Sequence, residues 1–112
     1  TARAHDSQYD WTMNEPRALD AGLEPELIDL VRHRRPLDGL DEGDAIVIAL
    51  ARELFGDYNV GADTYMRAAS AFGETNLVDI VALMGAHAAD AAVLAAFEQH
   101  LPDGRQPLLP LP

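Results

Sequence analysis

The sequence predicts an all-α fold, and three observations carry that prediction. Alanine, the residue best tolerated inside a helix, is abundant along the chain. No run of Val, Ile or Thr alternates with polar residues for six positions, so a half-buried strand leaves no signal. Residues 75–100, TNLVDIVALMGAHAADAAVLAAFEQH, form one long apolar stretch broken by few polar side chains. Together these imply a bundle of about five helices organised around that stretch. A chain of 112 residues makes one domain, and an apolar content of 48% belongs to a globular chain.

Residues 1–21 read as the first helix. Apolar or aromatic residues fall at Tyr9, Met13 and, after a break, Leu19, with Trp11 and Ala18 on a neighbouring face. Pro16 has no N–H to donate, so it should kink this helix or start a new first turn. Gly22 suits the left-handed position just past a helix end. Glu24-Pro25-Glu26 opens a second helix, with proline at the first position and acids at the positive end. Leu27, Ile28 and Val31 supply its apolar edge. Arg32, His33, Arg34 and Arg35 suit its negative end, and Pro36 stops it.

After a turn over residues 36–40, Asp41 is placed to cap a third helix from Glu42 to about Phe55. Residues 45–51 are almost unbroken apolar, which makes that helix central. A fourth helix from about Ala62 to Phe72 sets Tyr65, Ala69 and Phe72 on one face. Gly73 ends it. Thr75 then caps the fifth helix, which Pro102 and Gly104 end. The chain thus divides into a helical domain over residues 1–101 and a proline-rich tail over 102–112. The tail is expected to run extended, over the domain or against a neighbouring subunit.

Composition narrows the function classes. A net charge of −11 repels nucleic-acid phosphate and anionic lipid headgroups, so neither is expected as a partner. The absence of cysteine excludes disulfides, thiol redox chemistry and cysteine nucleophiles within this sequence, and it fits a cytoplasmic location. The first residues hold no apolar signal-peptide core. Asp79, His87 and Asp90 make the long apolar stretch too polar for a membrane span, so none is expected. The sequence opens on Thr1 as if inside a helix, so an earlier segment is expected to be missing.

His87 is the leading titratable candidate. Asp90 lies one turn after it and Asp79 two turns before, so the three share a stripe, and a histidine beside carboxylates suits general acid–base work. The plainer reading is a core or interface histidine satisfied by Asp90 or a carbonyl. From the residues alone, Asn14 and Glu15 read as helix-surface side chains before Pro16. Tyr9 and Trp11 are candidates for an apolar substrate wall, against ordinary packing. Arg32, Arg34 and Arg35 could bind an acidic substrate, although solvation of a helix end explains them more simply. No HExxH, close histidine pair, phosphate loop or GxSxG is present, so no metal or cofactor is expected.

The order Tyr9-Asp10-Trp11, Asn14-Glu15-Pro16, Ala18, Ala21-Gly22-Leu23 and Pro25-Glu26-Leu27 resembles the carboxymuconolactone decarboxylase and alkylhydroperoxidase D-like superfamily. The third helix from Leu40-Asp41-Glu42, the Phe72-Gly73-Glu74 corner and the long helix leading into Ala95-Ala96-Phe97-Glu98 are similar as well. The likeness runs over almost the whole chain. It implies an alkylhydroperoxidase D-like helical bundle that assembles as a homo-oligomer, trimer or hexamer. The peroxidase branch carries CxxC and a following histidine, which by spacing would fall at Ser7, Asp10 and Asn14. All three are replaced, so thiol peroxidase chemistry is not expected. The decarboxylase branch implies cofactor-independent acid/base chemistry on a small organic acid, through an enolate-like intermediate. Its histidine is Asn14 here, which by the resemblance could orient a substrate carbonyl or carboxylate, with Glu15 as acid or base. Its glutamate would precede Thr1, where a separate N-terminal chain of the same particle is one source. The resemblance therefore also accommodates a non-catalytic ligand-binding or assembly subunit.

Overall fold

Helix formation begins at Ser7. In the computed structural model, which describes residues 1–111, its side chain accepts a hydrogen bond from the backbone N–H of Asp10 and so caps α1, Gln8–Asp20. The first six residues are turns, with Asp6 at a φ of 48°. The helix is therefore shorter at its start than the sequence suggests. Pro16 lies inside it without ending it. The proline removes only its own donor, and the chain runs on for another turn.

α2, Pro25–Arg32, has Pro25 at its first turn and Arg32 at its last. α3, Glu42–Arg52, follows, and Asp41 precedes it without a side-chain cap. It passes into a π-helical turn, Glu53–Asp57, closed by Tyr58 in the left-handed conformation. α4 spans Ala62–Phe72 and α5 spans Glu74–Ala96. Gly73 forms the corner between them at a φ of 79°, which other residues rarely adopt. Thus Gly73, and not Thr75, precedes α5. The helix ends at Ala96, ahead of Pro102, with Phe97 and a left-handed Glu98 turning the chain. Five α-helices and no strand make up the described residues.

Two apolar clusters organise the packing. Ile46 and Leu50 of α3, Ala68 of α4, and Leu77 and Met84 of α5 form the larger one, with Phe55 and Phe72 against it. The apolar run of α3 is central, as its composition requires: Ile46 and Leu50 are almost fully buried. On α4 the buried face is Thr64 and Ala68, while Tyr65 is half exposed.

The smaller cluster joins Trp11 of α1, Ile28 of α2 and Leu109 of the tail. The tail is held by α1. Gln8 accepts from the Leu109 N–H at 2.8 Å and donates to its carbonyl at 2.6 Å, and Thr12 accepts from the Leu108 N–H at 3.1 Å. Side-chain amides suit this task because a proline-rich strand cannot pair with itself.

α5 is buried along one line only: Leu77, Met84 and Ala91, each two turns apart. Val78, Leu83, Val93 and Phe97 are all more than half exposed. By length and composition alone α5 could cross a membrane: its most apolar window has a mean hydropathy of 1.7, despite Asp79, His87 and Asp90.

Leu109→Ala should lower stability by about 2–5 kcal/mol, since it empties a buried site where tail and helices meet. Urea denaturation followed by circular dichroism measures this. An unchanged midpoint would show that the tail is not docked on α1.

Candidate functional site

α1 and α5 lie together where small residues allow it, with Ala18 on one side of a cavity of about 410 Å³. Asp10, Asn14 and Arg17 line it from α1, and Leu83, Met84 and His87 from α5. Both sets follow helical geometry. Positions 10, 14 and 17 are successive turns of one face, and 87 lies one turn beyond the neighbours 83 and 84. Two helices therefore make most of the site, and Thr1 and Ala2 of the non-helical N-terminal segment complete it.

Asp10 is the centre of the arrangement. It is 8% exposed, and a carboxylate removed from water needs hydrogen-bond donors. One oxygen, Oδ2, meets His87 Nδ1 at 2.9 Å. The other, Oδ1, accepts from Asn14 Nδ2 at 2.6 Å. Asn14 Nδ2 also donates to the Asp10 backbone carbonyl at 2.8 Å. Both amide hydrogens of Asn14 are thereby used, and only its Oδ1 remains as an acceptor.

The chemistry of His87 follows from its partner. An ionised carboxylate only accepts, so Nδ1 carries the hydrogen of that bond. In the neutral ring, Nε2 then holds the lone pair and can take a proton. A carboxylate that fixes the tautomer and balances the imidazolium is the orienting half of the serine-protease triad, here without a nucleophile. The His87 side chain is 35% exposed and the Asp10 side chain 10%, so the histidine has access to a ligand while the acid does not.

The structure distributes the other sequence-derived candidates differently. Asp90 is exposed and makes no hydrogen bond to His87, whose partner comes from α1. A neighbour one turn away on the same helix is outcompeted by a buried acid on the facing one. Glu15 does not line the cavity. It accepts from Trp11 Nε1 at 2.6 Å and pairs with Arg32, which also binds Asp29 and lies 5.8 Å from the centre of the Trp11 ring. The Glu15 hydrogen bond holds the Arg32 guanidinium above its ordinary pKa, against the opposing effect of burial. Trp11 is a core residue of the smaller cluster, and Tyr9 is half-buried outside the cavity.

Arg17 did not stand out in the sequence, and Asp10 stood out only as the position of a family cysteine. Their signal was available as the spacing to Asn14, three residues for Arg17 and four for Asp10, on the same face. Among the described residues no three His, Asp or Glu side chains gather in a metal-binding group. No family model matches the chain, and neither a curated protein nor a solved structure matches it.

Glu15→Gln should destabilise the fold by about 1–3 kcal/mol, because it leaves the half-buried Arg32 charge without its main partner. Chemical denaturation checks this. A variant as stable as the parent would show that the Glu15–Arg32 pair does not hold α1 to α2.

Proposed function

We propose that the cavity between α1 and α5 carries cofactor-independent acid/base chemistry on a small organic acid, of the decarboxylase or lactone/carbonyl-converting kind. The 2.9 Å contact between His87 and buried Asp10 supports this reading most. His87 Nε2 is the base. Asp10 holds the ring, and Asn14 holds Asp10, so both are positioning residues. Arg17 is an exposed cation on the cavity wall, suited to a substrate carboxylate.

Two balanced steps fit these groups. In proton transfer, His87 takes a proton from carbon next to a carbonyl, the bond pair enters the enolate, and the imidazolium returns the proton to another carbon. In decarboxylation of a β-keto acid, the carbon–carboxylate bond breaks and carbon dioxide leaves. Its electrons pass to the enolate, which an already protonated His87 quenches at carbon. In both, Asp10 stabilises the imidazolium. The resemblance to the decarboxylase and alkylhydroperoxidase D-like superfamily points to the same class and rests on the residues that carry it.

A second reading, a non-catalytic ligand-binding or assembly subunit, draws on the exposed apolar side of α5. Val78, Leu83 and Val93 suit burial against copies of this chain, so a homo-oligomer belongs to either reading. The absence of cysteine supports a cytoplasmic setting.

With a panel of β-keto acids and lactone acids followed by NMR, His87→Ala and Asp10→Asn should each lower kcat/KM by about 10²–10⁴, and Asn14→Ala by less. Binding without product from any member would favour the non-catalytic reading. Light scattering after size exclusion should give a multiple of the chain mass without detergent. A monomer in plain buffer would contradict the oligomer, and a need for detergent would turn the reading of α5 toward lipid.

A further inference from the structure

A second cavity lies on the other side of Met84, and its chemistry differs from that of the first. Its volume is about 620 Å³, in the range of small-molecule sites. Val31, Val47, Ile48, Ala51 and Phe55 make its apolar wall, with Met84 shared between the two cavities. The His5 ring packs on the edge of Phe55, with ring centres 4.7 Å apart.

Three arginines, Arg3, Arg34 and Arg52, line it as well, beside Thr1, Ala4 and Gly56, and no carboxylate does. Arg3 and Arg34 share one acid, Asp6. Arg52 has no acidic partner among the described residues. Its Nη1 donates to the Arg35 carbonyl at 2.9 Å, while its Nη2 is buried and has no hydrogen-bond partner. Burial, and then the neighbouring Arg34 charge, push the Arg52 guanidinium below its ordinary pKa. A cationic group in this state lacks an anion. The feature is local and runs against the net charge of −11 carried by the chain.

We infer that this cavity binds an amphipathic monocarboxylate, its anionic head on Arg52 with Arg34 beside it and its apolar body along Val47, Ile48, Phe55 and Met84. The two N–H groups of the unpartnered Nη2, on a planar guanidinium, call for an oxyanion head, and the aliphatic wall calls for a hydrocarbon body. Nucleotides and sugar phosphates fit this wall poorly, because it offers no polar partners for a ring or ribose. The inference is independent of the acid/base reading, since it concerns binding at a cavity that His87 does not line.

Octanoate, 1-octanol and acetate, titrated calorimetrically into the intact chain, test the assignment. Octanoate should bind with one-to-one stoichiometry and raise Tm, with octanol and acetate each at least about tenfold weaker. Arg52→Gln should weaken octanoate about 10- to 100-fold, Arg52→Lys less, and Arg34→Gln, at an exposed position, several-fold without loss of fold. Arg17→Gln should leave octanoate binding unchanged. Equal binding of octanol and octanoate, no octanoate binding at millimolar concentration, or full retention in both Arg52→Gln and Arg34→Gln would overturn the assignment. Loss on Arg17→Gln instead would overturn it by placing the acid in the His87 cavity.

Discussion

A buried carboxylate cannot be left alone, and Asp10 meets that constraint by reaching across to α5. Its two oxygens are answered from two directions, by Asn14 one turn along its own helix and by His87 on the facing one. The hydrogen bond to His87 is one of the places where the two halves of the molecule meet, with the His5–Phe55 ring contact and the Arg52–Arg35 bond. Trp11, Ile28 and Leu109 form a cluster on the α1 side, and Ile46, Leu50, Ala68, Leu77 and Met84 form another around α3, α4 and α5. Apolar contacts slide easily, whereas a hydrogen bond to a desolvated acid has a preferred distance and direction. The Asp10–His87 bond therefore sets the register of α1 on α5, and with it the shape of the cavity between them.

The same bond has a chemical consequence. Packing alone would need no charge at position 10, and a serine or alanine would fill the space. An aspartate at that place makes the histidine a one-sided group, with hydrogen on Nδ1 and a lone pair on Nε2. Asn14 then supports the pair through Nδ2, whose two hydrogens are both engaged by Asp10. Arg52 lies at the opposite end of this logic. It is a half-buried charge with one nitrogen, Nη2, that the fold leaves without a partner, beside an apolar wall.

Much of the fold was legible because helix signals are local. Pro25 and Pro36 bracket α2, Gly73 marks the corner before α5, and the apolar run of α3 could only be a core helix. The start of α1 was not legible, because an alanine-containing opening reads as helix until Ser7 is seen to cap it. The end of α5 was misplaced for a similar reason: Phe97 and Glu98 leave the helix without glycine or proline. The site was half legible. His87 and Asn14 stood out by residue type, and the structure brings them to one cavity. The partner of His87 did not stand out, because nearness along a helix favours Asp90 while nearness in space belongs to Asp10. Glu15 looked like an acid in search of a substrate, but its pairing with Arg32 depends on how α2 folds back, which local sequence does not encode. The outer side of α5 is apolar and exposed in the single chain.

The most direct test of this account is a double-mutant cycle on stability, combining Asp10→Ala with His87→Ala. Urea denaturation of the parent, the two single variants and the double variant gives the coupling between the two side chains. The account predicts a favourable coupling of about 1 kcal/mol or more, since each residue alone would leave the other without its partner. Single effects that add to within about 0.3 kcal/mol would contradict it, because the two helices would then be held in register by packing alone.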